Sequence, residues 1–158
     1  MRQHNLRILF FLLVLWGVAV ACSRREARFR LGVSQCSEDE WRRQMNSEIL
    51  REAHFYEDVE VDIRTAVDDN DRQAKDIREL IAEGVDLLIV APNEATPITP
   101  VVEEAYNRGI PVIVVDRKIL SDKYTAYVGA DNYEIGKAVG EYVANVLHGQ
   151  GDVVEISG

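Results

Sequence analysis

The sequence predicts an α/β fold, a doubly wound parallel sheet with helices on both faces. Segments rich in apolar residues begin at residues 29, 59, 86 and 111. A segment with helical periodicity follows the first three directly and the fourth after a short predicted strand. Two of these segments, residues 86–91 and 111–116, are nearly continuous apolar runs, as expected when both faces of a parallel sheet are covered. Strand and helix alternating at this spacing favour right-handed β-α-β units.

The remaining strand segments have weaker or alternating patterns. Apolar and polar residues alternate over residues 29–34 and 59–67, which predicts two further strands of the same sheet. A shorter strand is predicted at residues 124–128, and a last one at residues 153–156, where Val153-Val154-Glu155-Ile156 is mostly apolar.

Two helices are predicted in the first half of the chain. An apolar stripe runs from Trp41 to Tyr56 at a spacing of three or four residues, and Ser37 is a candidate N-cap for this helix. A second stripe runs from Ala74 to Ile81 and ends at Gly84, a residue suited to the left-handed end of a helix.

Two more helices are predicted in the second half. One begins with Pro100 in its first turn and stops at Gly109. The other runs from Ile135 onward, and Asp131 and Glu134 resemble a capping pair at its start.

The first 22 residues have the pattern of an export signal. Basic residues precede an unbroken apolar run of 14 residues from Ile8 to Ala21, which is short against the roughly 20 residues of a membrane-spanning helix. Small residues then lead to Cys22, an arrangement that resembles a bacterial lipobox and makes Cys22 the candidate for lipidation. A plain signal peptide and an uncleaved anchor, whose flank would be Arg24 and Arg25, remain the alternatives.

Composition and missing motifs exclude several classes of function. A net charge of −9, from 18 basic and 27 acidic residues, argues against a nucleic acid partner and suits a small neutral or polar ligand. The glycine-rich motifs of dinucleotide and P-loop sites are missing, so we predict no cofactor, and no metal site or catalytic group is predicted. With Cys22 lipidated, Cys36 would be unpaired. We expect it to be buried or half-buried, and a reactive thiol is the alternative.

Polar residues follow the predicted strands, at the edge where open α/β sheets bind ligands. The candidate ligand-binding residues are Gln35, Trp41, Asn93, Asp116, Arg117 and Asp131. Asp116 can accept hydrogen bonds from vicinal hydroxyls and Arg117 can donate a fork to sugar oxygens, although a structural pair between them, or a solvated Arg117, is the alternative. Trp41 can stack on the apolar face of a sugar, or it can belong to the core together with Met45.

These residues together resemble the type I periplasmic binding proteins, particularly the ribose-binding-like branch. The resemblance covers residues 28–158 and is most specific over residues 110–117 (Ile-Pro-Val-Ile-Val-Val-Asp-Arg), which place Asp116 and Arg117 on ligand-binding positions. Trp41 matches an aromatic position of the first ligand loop, although residues 38–41 read Glu-Asp-Glu-Trp where other members have Asn-Pro-Phe-Phe-like loops. Residues 69–73 match the family's polar turn, and residues 128–132 match the first crossing between its two lobes.

The resemblance implies a sugar-binding function and a domain plan. Residues 1–22 would be the signal peptide, residues 28–130 most of the first lobe, and residues 131–158 the first helix and strand of an incomplete second lobe. Residues 32–37 and 122–126 are most similar to the sensory input domains of hybrid two-component histidine kinases, which implies a periplasmic, membrane-anchored sugar sensor and leaves open a homodimer of the full-length receptor. The alternative is a solute-binding lipoprotein of a sugar ABC transporter. With one lobe incomplete, we expect the isolated chain to bind sugar weakly or not at all.

Overall fold

The structure, a computed structural model, describes residues 29–156. Its strands are β1 (Phe29–Gln35), β2 (Val59–Thr65), β3 (Leu87–Ala91), β4 (Val112–Val115) and β5 (Ala126–Val128). Its helices are α1 (Glu40–Ala53), α2 (Asn70–Glu83), α3 (Ala95–Asn107) and α4 (Asn132–Val146). The predicted signal peptide and Cys22 lie outside the described residues.

The strands form one parallel sheet in the order β2-β1-β3-β4-β5. This confirms the predicted α/β class. The chain leaves β1 for β2 on one side and later returns to β3 on the other, so the order reverses between β1 and β3. In open sheets such a reversal opens a crevice outside the carboxyl ends of the strands, where ligands bind. The carboxyl ends of β1 and β3 therefore mark the place to look for a site.

The core lies between the sheet and the helices α2 and α3. Alternate residues of the central strands are fully buried there, because successive side chains of a strand point to opposite faces. The buried residues of β3 and β4 pack against those of α2 and α3: Leu88, Val90, Val112, Val114, Ile77, Leu80, Ile98, Val101 and Val102. Right-handed crossovers place α1 on the opposite face. Each face thus receives at least one helix, as the sequence predicts.

Helix ends confirm some predicted signals and correct others. Gly84 ends α2 in the left-handed conformation (φ 77°), and the side chain of Asp131 caps α4, both as predicted. Asp39, and not Ser37, caps α1, because its carboxylate accepts from the backbone N–H of Arg42 while Ser37 donates its hydroxyl to that carboxylate.

The third helix and the second strand also differ from their predicted bounds. α3 begins at Ala95, five residues before Pro100, and its first turn contains Pro97 instead. β2 ends at Thr65 and not at Val67, since Val67 and Asp68 have φ of 55° and 62° and turn the chain out of the strand.

The end of the described chain packs least against the rest. No residue of α4 is buried, and Tyr133 and Tyr142 are more than two-thirds exposed. The predicted strand at residues 153–156 does not form, because within residues 29–156 it has no neighbouring strand with which to share hydrogen bonds. No helix in this part of the chain is both long and apolar enough to cross a bilayer.

Candidate functional site

A buried arginine lies at the carboxyl edge of the sheet and joins distant parts of the chain. Arg42, in the first turn of α1, has a side chain only 8% exposed. Its Nη1 lies 2.8 Å from Oδ2 of Asp39 and its Nη2 lies 2.9 Å from Oδ2 of Asp116, which follows β4. Because burying a lone charge is costly, the two carboxylates are what allow this guanidinium to lie inside the fold.

The charges of this cluster stabilise one another. The pKa of Asp39 is lowered from 3.8 to about 2, chiefly because the Ser37 hydroxyl and then the Arg42 backbone N–H donate to its carboxylate. Burial by itself would lower the pKa of Arg42, but nearby Cys36, Asp39 and Asp116 outweigh burial and raise it. The cluster of Asp39, Arg42 and Asp116, called here the Arg42 cluster, thus holds one guanidinium between two carboxylates.

Asp116 is held at the edge in a strained backbone conformation. Its φ of 67° lies in the left-handed region, which residues other than glycine seldom adopt. Its N–H donates to the Val128 carbonyl at 2.9 Å and its own carbonyl accepts from the Tyr127 hydroxyl at 2.7 Å. The carboxylate is 43% exposed, and its Oδ1 has no hydrogen-bond partner within residues 29–156. Backbone strain held in this way is typical of functional sites, and here it presents a free acceptor oxygen to solvent.

Arg117 does not pair with Asp116, so the predicted structural pair between them is absent from the described chain. Instead, Nη1 of the exposed Arg117 donates to the carbonyl of Asn93 at 2.5 Å. Asn93 is in turn fixed by its side-chain amide, which donates to Oδ1 of Asn70 at 2.9 Å and to the carbonyl of Asp68 at 3.3 Å. The ends of β2, β3 and β4 thus meet at one edge.

A buried glutamine ties this edge to the interior. Gln73 of α2 is fully buried, and its Nε2 donates to the Ala91 carbonyl at 2.9 Å and to the Ser34 hydroxyl at 3.3 Å. Its Oε1 accepts from the N–H of Asn93 at 2.9 Å. Since every polar atom of this amide has a partner, Gln73 holds Asn93, and through it Arg117, in a defined position.

Two buried polar atoms near this edge lack a partner. Gln35 is fully buried at the end of β1, and its Nε2 donates to Oδ1 of Asn46 at 2.6 Å, whereas its Oε1 has no hydrogen-bond partner in the described part of the chain. The Nε of Arg42 is likewise unpaired. An unpaired buried polar atom costs roughly 1–3 kcal/mol, so one such donor and one such acceptor call for a bound molecule or water.

The other predicted residues follow β1 or β5, at the same carboxyl edge of the sheet. Trp41 is 53% exposed, so the alternative that it belongs to the core is wrong, and the Arg42 guanidinium carbon lies 5.3 Å from the centre of its ring. Asp131 is exposed, but its Oδ1 accepts from the N–H groups of Tyr133 and Glu134. Cys36 is buried, as predicted, with 1% exposure.

Arg42 and Tyr127 are residues that the sequence analysis missed, and Gln73 entered it only as the last residue of the polar turn at residues 69–73. A signal for Arg42 exists, because it lies three residues before Met45 and seven before Ile49 and so shares their apolar face. A charged residue at such a position indicates a buried partner. The partners of Gln73 and Tyr127 depend on tertiary contacts and have no such local signal.

The arrangement is suited to binding a polar molecule. Within residues 29–156, no group of three or more histidine, cysteine, aspartate or glutamate side chains is placed to hold a metal ion. What the edge offers is an acceptor at Asp116, donors at Arg42 and Arg117, and the exposed ring of Trp41. Charged hydrogen-bonding groups beside an aromatic ring, at the switch point of an open parallel sheet, are typical of α/β lobes that bind ligands.

Comparison with known proteins identifies the family. Residues 32–158 match the model of the periplasmic binding protein domain, and the chain belongs to that family. It is 34% identical over 153 residues to the galactofuranose-binding protein YtfQ of Escherichia coli (strain K12), covering 93% of this chain and 48% of that protein. It is 32% identical over 100 residues to the ribose import binding protein RbsB of Bacillus subtilis (strain 168), covering 63% of this chain and 33% of that protein.

Solved structures agree with this assignment. The fructose binding periplasmic domain of the hybrid two-component system BT1754 superposes with a TM-score of 0.74 at 66% identity, covering 78% of this chain and 41% of that one. A galactofuranose binding protein gives 0.67 at 32% identity, covering 77% and 42%. The chain therefore spans between a third and a half of the length of these relatives.

Proposed function

We propose that this chain binds a monosaccharide in the periplasm through the carboxyl edge of its sheet. The observation that carries the proposal is the Arg42 cluster, which presents paired charges and unpaired polar atoms beside the exposed Trp41. Vicinal hydroxyls of a sugar both donate and accept, so they complement an arginine and an aspartate together. Relatives named for fructose, galactofuranose and ribose support a sugar as the ligand.

Each residue of the proposed site has a distinct role. Asp116 accepts hydrogen bonds from sugar hydroxyls through its exposed carboxylate, and Arg117 donates to sugar oxygens from the position that Asn93 fixes. The Nε of Arg42 and the Oε1 of Gln35 supply a further donor and acceptor, directly or through water. Trp41 covers the apolar face of the ring. Asp131 is retained as a ligand residue because it is exposed at the end of β5.

Fructose is the first sugar to test, and binding without turnover is the proposed activity. The relative at 66% identity is named for fructose binding and belongs to a hybrid two-component system, which supports a role as the sugar-sensing input domain of a membrane receptor. The anchoring of the chain through Cys22 and dimerisation of the full receptor remain predictions.

The test of sugar binding is an NMR titration of the 158-residue chain with D-fructose, followed at the backbone amides of Arg42, Asp116 and Arg117. NMR detects millimolar binding, which suits the weak affinity expected of one lobe. We expect saturable shifts at these amides. Arg42→Lys and Asp116→Asn are expected to raise the dissociation constant about tenfold, because each removes a charge-assisted hydrogen bond.

Matched controls separate the site from the general effects of charge. Arg43→Lys changes the neighbouring arginine, which is exposed and paired with Glu40, and Asp122→Asn changes an exposed carboxylate away from the edge. Both are expected to bind fructose as the wild type does. Absence of saturable shifts with fructose, glucose, ribose and galactose in a folded chain would contradict the proposal, as would equal effects of Arg42→Lys and Arg43→Lys.

A transport role is the second candidate, because the similar RbsB of Bacillus subtilis is named as a ribose import binding protein. The reading frame and neighbouring genes distinguish the two candidates. A continuation that encodes a second lobe, a membrane helix and a histidine kinase supports the sensor. A second lobe followed by a stop, with a permease gene next to it, supports the transporter.

A further inference from the structure

A tyrosine hydroxyl connects the turn that carries Asp116 to the segment that leads out of the sheet. Tyr127 lies on β5, and its hydroxyl is 2.7 Å from the carbonyl oxygen of Asp116 and 3.2 Å from that of Ala130. A phenol has one proton, so the two carbonyls share a single donor. The Tyr127 ring packs against the core of the sheet, and Nζ of Lys118 lies 5.0 Å from the centre of the ring. These contacts fix the position of the ring and therefore of its hydroxyl.

Gly129 has no side chain, and this leaves the space that the Tyr127 hydroxyl occupies. A Cβ atom on Gly129 would lie 2.2 Å from the Tyr127 hydroxyl oxygen and 3.0 Å from the Asp116 carbonyl oxygen. Contacts that short do not occur, so any larger residue would displace the phenol from the carbonyl. The backbone of Gly129 does not have a positive φ, so the reason for glycine here is space and not conformation.

Asp116 needs such a support because its backbone is in the left-handed region. Three hydrogen bonds hold Asp116. Its N–H donates to the Val128 carbonyl, its carbonyl accepts from the Tyr127 hydroxyl, and its carboxylate accepts from the Arg42 guanidinium. The first two are contacts of the backbone and act whether or not the carboxylate is engaged by a ligand. Of these, only the Tyr127 contact comes from a side chain and can be removed by substitution without altering the strand.

We propose that Tyr127, together with the space left by Gly129, is a positioning residue that orients the Asp116 carboxylate for the sugar and couples it to the segment beginning at Ala130. This inference rests on the proposed sugar-binding function. A change in the path of the chain at Ala130 alters the shared hydrogen bond and with it the hold on Asp116. Sugar binding at the carboxyl edge of the sheet and the path of the chain at Ala130 are therefore linked through the hydroxyl proton of Tyr127.

The test compares Tyr127→Phe with Tyr124→Phe in the 158-residue chain. Both tyrosines pack against the same core, and each substitution removes one hydroxyl oxygen. Within the described part of the chain only the Tyr127 hydroxyl of the two makes a hydrogen bond, so the comparison isolates that bond. For Tyr127→Phe we expect shifted amide signals at Arg117 and Ala130 without sugar and a dissociation constant for D-fructose raised about fivefold, the range of one neutral hydrogen bond. Tyr124→Phe is expected to change neither.

A double-mutant cycle separates positioning from a general loss of stability. In the Asp116→Asn background, Tyr127→Phe is expected to weaken fructose binding further by less than about twofold, because its effect passes through the carboxylate already altered. Full additivity of the two substitutions, or equal behaviour of Tyr127→Phe and Tyr124→Phe, overturns the inference. If the wild-type chain binds no sugar, the proposed function fails, and the amide signals of Arg117 and Ala130 still decide whether Tyr127 holds Asp116.

Discussion

Arg42 is a charged residue on the face of α1 where the helical periodicity otherwise places apolar residues. Its burial is possible because Asp39 caps the same helix and Asp116, 74 residues further along the chain, approaches from the turn that follows β4. The local pair forms whenever the helix forms, since residues three apart lie on one face. The distant pair forms only when the sheet is assembled. At the scale of the residue, the cap of α1 and the carboxyl edge of the sheet are therefore joined by one guanidinium.

The capping carboxylate gives the site a dependence on pH. The pKa of Asp39 falls from 3.8 to about 2 on folding because Ser37 and the Arg42 N–H donate to it. A carboxyl with a lowered pKa stabilises the fold above its unfolded pKa, and this stabilisation is lost as the pH falls through the folded pKa. We expect Asp39→Asn to have a lower thermal unfolding midpoint than the wild type at neutral pH, with the difference shrinking between pH 3.8 and about 2.

The control for this prediction is Ser37→Ala, which removes the largest cause of the lowered pKa. It should shift the loss of stabilisation toward higher pH, and a ¹³C NMR titration of the Asp39 carboxyl measures the same shift directly. A difference between wild type and Asp39→Asn that persists unchanged down to pH 2 contradicts the assignment.

At the scale of the element, the edge strand β2 is joined to α2 by a second charge cluster. Arg64 is surrounded by three carboxylates, with Asp62 at 3.0 Å, Glu79 at 2.7 Å and Glu83 at 2.7 Å, and its side chain is only 18% exposed. Hydrogen bonds from Arg64 to Asp62, which outweigh its partial burial, raise its pKa. Charged side chains on an edge strand also discourage pairing with another chain. None of these four residues belongs to the Arg42 cluster.

Arg64→Gln is expected to lower the free energy of unfolding by about 1 kcal/mol, because it leaves three carboxylates without their shared cation. Denaturant unfolding at low and high salt measures the loss, which should be smaller at high salt since screening weakens the repulsion. Arg51→Gln, at an exposed ion pair with Glu48, is the matched control and should change stability little. A loss equal in the two variants would show that the cluster adds nothing beyond a surface pair.

At the scale of the whole molecule, the described chain consists of a well-packed sheet and a helix that is almost separate from it. The helices α2 and α3 bury their apolar faces, whereas α4 buries no residue and leaves the side chains of Ile135, Val139 and Val146 more than half exposed. An apolar stripe on an exposed helix is typical of a surface that packs against other structure. Within residues 29–156 that structure is absent.

Hydrogen exchange of the 158-residue chain tests this difference. We expect the backbone amides of α4 to exchange much faster than those of α2 and α3, because a helix without buried contacts opens locally without unfolding the sheet. The amides of α1, which has a partly buried face, are the internal reference. Equal protection of α4 and α2 would show that α4 is held by contacts that the described residues do not provide.

The sequence by itself determined the four helices, the first five strands and the edge of the sheet at which polar residues collect. Apolar runs and periodicity depend on neighbours within a few residues, so the central strands and the stop at Gly84 could be predicted. The tertiary structure decided which of those polar residues meet. Arg42 pairs with Asp116, Arg117 contacts Asn93 and Tyr127 supports Asp116, and each contact depends on the strand order, which local patterns do not specify. For the same reason the mostly apolar residues 153–156 do not form a strand, because a strand requires a partner as well as a pattern.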